Sequence, residues 1–61
     1  MEYAATFHND DANITALVYA QRGAYTVAIR DDDAGKIVPV LHAGMTLEAA
    51  IAEAKKIAEA A

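Results

Sequence analysis

The apolar pattern changes period at Gly44-Met45-Thr46. Before that point apolar residues alternate with a period near two. After it they recur at Leu47, Ala50, Ile51, Ala54, Ile57, Ala58 and Ala61, which is helical spacing. This switch predicts an α+β fold: a small antiparallel sheet of three to four strands packed against one C-terminal amphipathic helix. With 61 residues there is room for one compact domain, spanning 1–61. Strands are expected at about 2–8, 14–21, 24–30 and 36–41, and the helix at about 47–60.

Each element has a local cause. Met1, Tyr3, Ala5 and Phe7 alternate with Glu2, Ala4, Thr6 and His8. Asn9-Asp10-Asp11-Ala12-Asn13 is rich in Asx-turn formers. Ile14, Ala16 and Val18 then face one way, and Thr15, Leu17 and Tyr19 the other. The same segment also fits a helix through Ile14, Leu17, Val18 and Gln21, with Gly23 as its cap. Its β-branched and aromatic residues, and the Arg22-Gly23 turn after it, favour a strand. Tyr25, Val27 and Ile29 mark the next strand. Asp32-Asp33-Ala34-Gly35 reads as a type I turn with Gly35 left-handed. Pro39 lacks an amide hydrogen, so its nitrogen should face a sheet edge.

Thr46 is the expected helix N-cap, and Glu48 places negative charge in the first turn. Ala49 occupies the position where Glu would complete a capping box. On the outer face, Glu53 with Lys56 and Lys55 with Glu59 stand at pairing distance. Tyr3, Tyr19 and Tyr25 are candidates for the core between sheet and helix, and no internal repeat is evident.

Composition excludes several functions. A domain this small buries only about 60% of its unfolded surface, so small scaffolds usually add a staple. There is no cysteine, hence no disulfide and no thiolate metal site. Self-association as a homodimer is the staple that remains. There is no serine either, so the usual nucleophiles are missing, and His8 and His42 have no partner spaced for a triad. The expectation is a protein that is not an enzyme and has no cofactor, no catalytic residue and no metal site. No basic n-region, signal peptide or membrane-length apolar run is present, which points to a cytoplasmic location and no membrane partner.

Net charge is −4, and Arg22, Arg30, Lys36, Lys55 and Lys56 are scattered. Direct nucleic-acid binding is therefore disfavoured, because phosphate neutralisation needs clustered cations. A basic protein partner is the better match. In an up-and-down meander the first and third connections share one end. That gathers Asp10, Asp11, Asp31, Asp32 and Asp33 at one pole, with His8 nearby. Three readings are open for this pole: solvated turns, a contact surface for a basic protein, or a divalent-cation site without the EF-hand pattern. Leu17 and Tyr19 are candidate anchors if the face they share is open.

Three segments resemble HicB-type antitoxin domains. Met1-Glu2-Tyr3-Ala4-Ala5 looks like the family's first strand. Gly23-Ala24-Tyr25-Thr26-Val27-Ala28-Ile29 is similar to its glycine–tyrosine–threonine–valine strand. Gly44-Met45-Thr46-Leu47-Glu48-Ala49-Ala50 is similar to its helix start. Arg30-Asp31-Asp32-Asp33-Ala34-Gly35 departs from the family's two-proline turn, and Ile14 to Arg22 looks like an insertion. The resemblance implies an antitoxin-like inhibitor of a basic, RNA-cleaving toxin, with scaffold residues at the matched positions. Two alternatives share its chemistry or its fold. One is a phage-borne inhibitor of anti-CRISPR type acting by nucleic-acid mimicry or surface blocking. The other is a self-assembling structural homodimer.

Overall fold

A computed structural model describes residues 2–40 and 44–60. Met1, Leu41, His42 and Ala61, on which parts of the pattern above rest, lie outside the described residues. The element order is β1 (Ala5–Asn9), β2 (Ile14–Gln21), β3 (Ala24–Asp31), β4 (Lys36–Pro39) and α1 (Leu47–Ala60). The strands form one antiparallel sheet in the order β1-β2-β3-β4, and α1 packs on β1, β2 and β3. The α+β plan read from the pattern switch is the observed fold, and residues 14–21 are a strand.

Register follows from the turns. Arg22 and Gly23 both have positive φ, 53° and 80°, the pair of left-handed residues that a tight two-residue hairpin requires. They close β2 onto β3 with Gln21 opposite Ala24. From that pair outward, hydrogen-bonded and non-hydrogen-bonded positions alternate. The Val40 amide bonds the Val27 carbonyl at 3.0 Å, in phase with this alternation. Pro39 therefore turns its nitrogen to the free edge of β4, as its missing donor demands.

The first strand begins later than its alternation suggests. Ala5 pairs with Val18, yet the Ala4 amide also reaches the Val18 carbonyl at 2.7 Å. Two residues thus oppose one, a β-bulge, and the side chains upstream change face. Tyr3 consequently leaves the helix side and stands edge-on to Tyr19, with ring centroids 6.5 Å apart. Of the three tyrosines, only Tyr25 joins the core under the helix.

That core is shallow. Ala50, Ala54 and Ala58 form the buried stripe of α1, facing Ala16, Val18 and Val27 of the sheet. Small side chains let the helix lie close to the strands, with Phe7, Met45, Ile51 and Ile57 sealing the margins. Met45 exchanges two backbone hydrogen bonds with Tyr25, which fixes the helix start against β3. The Thr46 hydroxyl accepts from the Ala49 amide at 3.2 Å, the expected N-cap. Leu47, expected on the apolar stripe, is instead exposed, because α1 does not extend over β4. Neither expected pair on the outer face of the helix closes to an ion pair among the described residues; such exposed pairs gain little by ordering.

Candidate functional site: an acidic pole built from two matched hairpin loops

Two connections meet at the end of the sheet where β1 and β3 finish. Residues 10–13 join β1 to β2, and residues 32–35 join β3 to β4. Both are four-residue loops ending in a left-handed residue, Asn13 at φ 53° and Gly35 at φ 70°. In both, the residue before the loop folds its side chain back on the backbone. Asn9 Oδ1 accepts from the Ala12 amide at 3.0 Å. Asp31 Oδ1 accepts from the Asp33 and Ala34 amides at 3.0 and 3.3 Å. The sequences share Asp-Asp-Ala at the centre and differ at the ends in residues of like turn chemistry: Asn9-Asp10-Asp11-Ala12-Asn13 and Asp31-Asp32-Asp33-Ala34-Gly35. This is a local repeat of turn chemistry too short to register as a repeated unit.

The loops are fastened to each other. The Asp32 amide donates to the Asn13 carbonyl at 3.1 Å, and the Asn13 side-chain amide donates to Asp33 Oδ1. Below them, His8, Thr15 and Arg30 form a row across three strands, since Thr15 is opposite both His8 and Arg30. Asp32 sits on that row. Its Oδ1 accepts from Arg30 Nε at 2.9 Å, and its Oδ2 accepts from the Thr15 hydroxyl at 2.8 Å. His8 Nδ1 lies 2.9 Å from Thr15 Oγ1 and 3.0 Å from Asp32 Oδ2, while His8 Nε2 lies 2.8 Å from Asp10 Oδ1. Both ring nitrogens thus meet a carboxylate.

The five aspartates therefore do different things. Asp32 has a side chain only 18% exposed and is neutralised within the chain. The Arg30 hydrogen bond, then that of Thr15, hold its carboxyl below the ordinary aspartate range; partial desolvation opposes them, and the charges of Arg30 and His8 assist. Asp10 is 93% exposed even while touching His8. Asp11, Asp31 and Asp33 are exposed. The expected gathering of Asp10, Asp11 and Asp31 to Asp33 is present, with Asp32 as its internal strut. Among the described residues no group of three or more His, Cys, Asp or Glu is arranged to hold a metal ion. Sequence reasoning did not single out Asn9, Asn13, Thr15 or Arg30 for this site. The loop match and the cross-strand row were the signals that could have found them.

Leu17 and Tyr19 lie on the sheet face away from the helix, but that face does not offer Leu17. It is 0% exposed, with Thr6 and Ala28 opposite it on the two neighbouring strands. Thr15, Thr26 and Ala28 beside it on this face are buried as well. Tyr19 is half-buried against Tyr3. Among the described residues, the large apolar side chains left open are elsewhere, at Ile37, Val38, Val40 and Leu47.

A groove of about 620 Å³ runs between β1 and the C-terminal half of α1, with Phe7 and Ala58 in its wall and Asp10, Asp11, Lys55 and Glu59 around it. Asn9 spans its pole end, donating from Nδ2 to the Ala58 carbonyl at 2.6 Å. That bond satisfies one of the carbonyls left free at the end of α1.

No helix among the described residues is long and apolar enough to cross a membrane. No protein-family model, curated protein or solved structure matches the chain.

Proposed function

We propose that the chain is a non-enzymatic interaction module that binds and inhibits a basic, nucleic-acid-handling protein through its acidic pole. The observation that carries this reading is the pair of matched loops. They keep Asp10, Asp11, Asp31 and Asp33 exposed on a frame fastened by Asn13 and Asp32, with Asp31 also bracing its own loop. Loops whose backbone is fixed in advance lose little freedom on binding, and a surface of one sign steers an opposite one. The HicB-like segments, read from sequence, suggest a toxin as the class of partner. The net charge of −4 agrees with it.

The test is a comparison of the natural chain with a variant carrying Asp10→Asn, Asp11→Asn, Asp31→Asn and Asp33→Asn. Asn at position 31 keeps the oxygen that accepts the loop amides. Both chains are immobilised and exposed to a lysate of the source at low salt. A basic protein retained by the natural chain, released by moderate salt and not retained by the variant would support the reading. Its nuclease or nucleic-acid-binding activity should then fall when the natural chain is added. Equal retention by both chains would overturn it.

A second reading, self-assembly, is favoured by one observation. The helix stops short of β4, leaving Val38, Val40 and Leu47 as large exposed apolar side chains on its side of the sheet, with Val38 50% exposed. Sedimentation would show a dimer that Val38→Lys dissociates. A monomer at high micromolar concentration would end this reading.

A further inference from the structure

The two edges of the sheet are not alike. β4 carries Lys36 and Pro39, and Pro39 presents no donor to the outside. Lysine and proline on an edge are the usual protection against unwanted strand pairing. Over Ala5–Asn9, β1 has neither. Its bulge lies before the strand and leaves the remaining residues regular. Because Ala5 with Val18 is the bonded pair at the bulge, Thr6 and His8 point their amides and carbonyls away from β2. Four backbone groups therefore face outward along β1, beside the groove that α1 walls on one side.

We infer that the free edge of β1 is a docking site for an extended segment of a basic protein, added to the sheet as a fifth strand. This inference rests on the proposed binding of a basic partner and says how that partner is held. The edge supplies affinity through main-chain hydrogen bonds, and the groove supplies room for alternate side chains. Charge selects the occupant. Among the described residues, Asp10, Asp11 and Glu59 stand around the groove against the single cation Lys55, so its pole end favours lysine or arginine. A second copy fits less well. A two-fold axis through Phe7 would set the two α1 helices antiparallel along the seam and bring Lys55 towards its own mate.

The probe is a synthetic peptide of alternating lysine and valine, titrated into the isotopically labelled chain at low salt. The Thr6 and His8 amides should shift and become protected from hydrogen exchange. Methylating alternate peptide nitrogens should weaken binding at least tenfold, as should Thr6→Pro, which removes an outward donor and leaves the β1 to β2 ladder intact. An alternating glutamate and valine peptide should not bind. Binding that perturbs only residues 10–13 and 31–35, and ignores methylation, would overturn strand addition while leaving the acidic pole as a contact surface. No binding by the lysine peptide would overturn the inference. The lysate comparison then decides separately whether the pole binds a basic protein at all. A β1 edge contacted by glutamate and lysine peptides alike would mean pairing without charge selection, and would also overturn it.

Discussion

His8 Nδ1 stands 3.0 Å from Asp32 Oδ2, although His8 lies on β1 and Asp32 in the loop after β3, and Thr15 of the intervening β2 joins them. The contact turns two loops into one surface. Asp32 can reach both hairpins because β1, β2 and β3 present His8, Thr15 and Arg30 in one cross-strand row. A sheet supplies such rows wherever register is fixed, since its side chains alternate with period two.

Asp32 should govern the acid limit of stability. Its folded carboxyl is held below the ordinary value, by the Arg30 hydrogen bond above all. The stability this brings is fully present above the ordinary aspartate range, near pH 4. It is lost as pH falls through the depressed folded value. Thermal melts of Asp32→Asn should therefore lie below those of the natural chain at pH 7, and the difference should narrow towards pH 2. A constant difference across that range would mean that Asp32 acts through shape and not charge.

Leu17 should behave as a core residue. Leu17→Ala is expected to cost about 2–5 kcal/mol in denaturant unfolding, the range for truncating buried leucine. A domain of this size has only several kcal/mol to lose, so the midpoint should drop sharply. Tyr19→Ala should cost less, because Tyr19 is only half-buried. A Leu17→Ala chain of natural stability would return Leu17 to the list of candidate contacts.

The two loops should tolerate substitutions according to backbone sign. Gly35→Asn places at the second loop the residue type that ends the first, and asparagine accepts positive φ. Its cost should stay within about 1 kcal/mol. Gly35→Val should cost about 2 kcal/mol, since a β-branched residue is strained there. Chemical denaturation of the two variants checks the order.

The N-cap of α1 should carry its ordinary weight. Thr46→Ala removes the acceptor of the Ala49 amide and should cost about 1 kcal/mol. Thr46→Ser or Thr46→Asp should recover most of that loss in the same melts.

Much of this architecture was legible in the residues. The change of period at Gly44-Met45-Thr46, the Thr46 cap and the Arg22-Gly23 turn are local signals, and local signals need no knowledge of the rest of the chain. The acidic pole was also legible, because a meander must bring alternate connections to one end. Division of labour among the aspartates was not. Asp31, Asp32 and Asp33 are identical in sequence, yet one braces its own loop, one binds Arg30 and Thr15, and one takes the Asn13 side chain.

The sequence by itself determined the elements, their order and the sign of the charge, because turn chemistry, apolar period and composition act over a few residues. Only the tertiary structure decided which apolar side chains are covered. Leu17 is buried on the face that the helix does not cover, between Thr6 and Ala28 of the flanking strands, and Leu47 is exposed because the helix ends its reach at β3. Only the tertiary structure, too, set the groove of α1 beside the free edge of β1. Burial and the place of the groove depend on how far one element extends across another, and that distance is set by packing between residues remote in the chain.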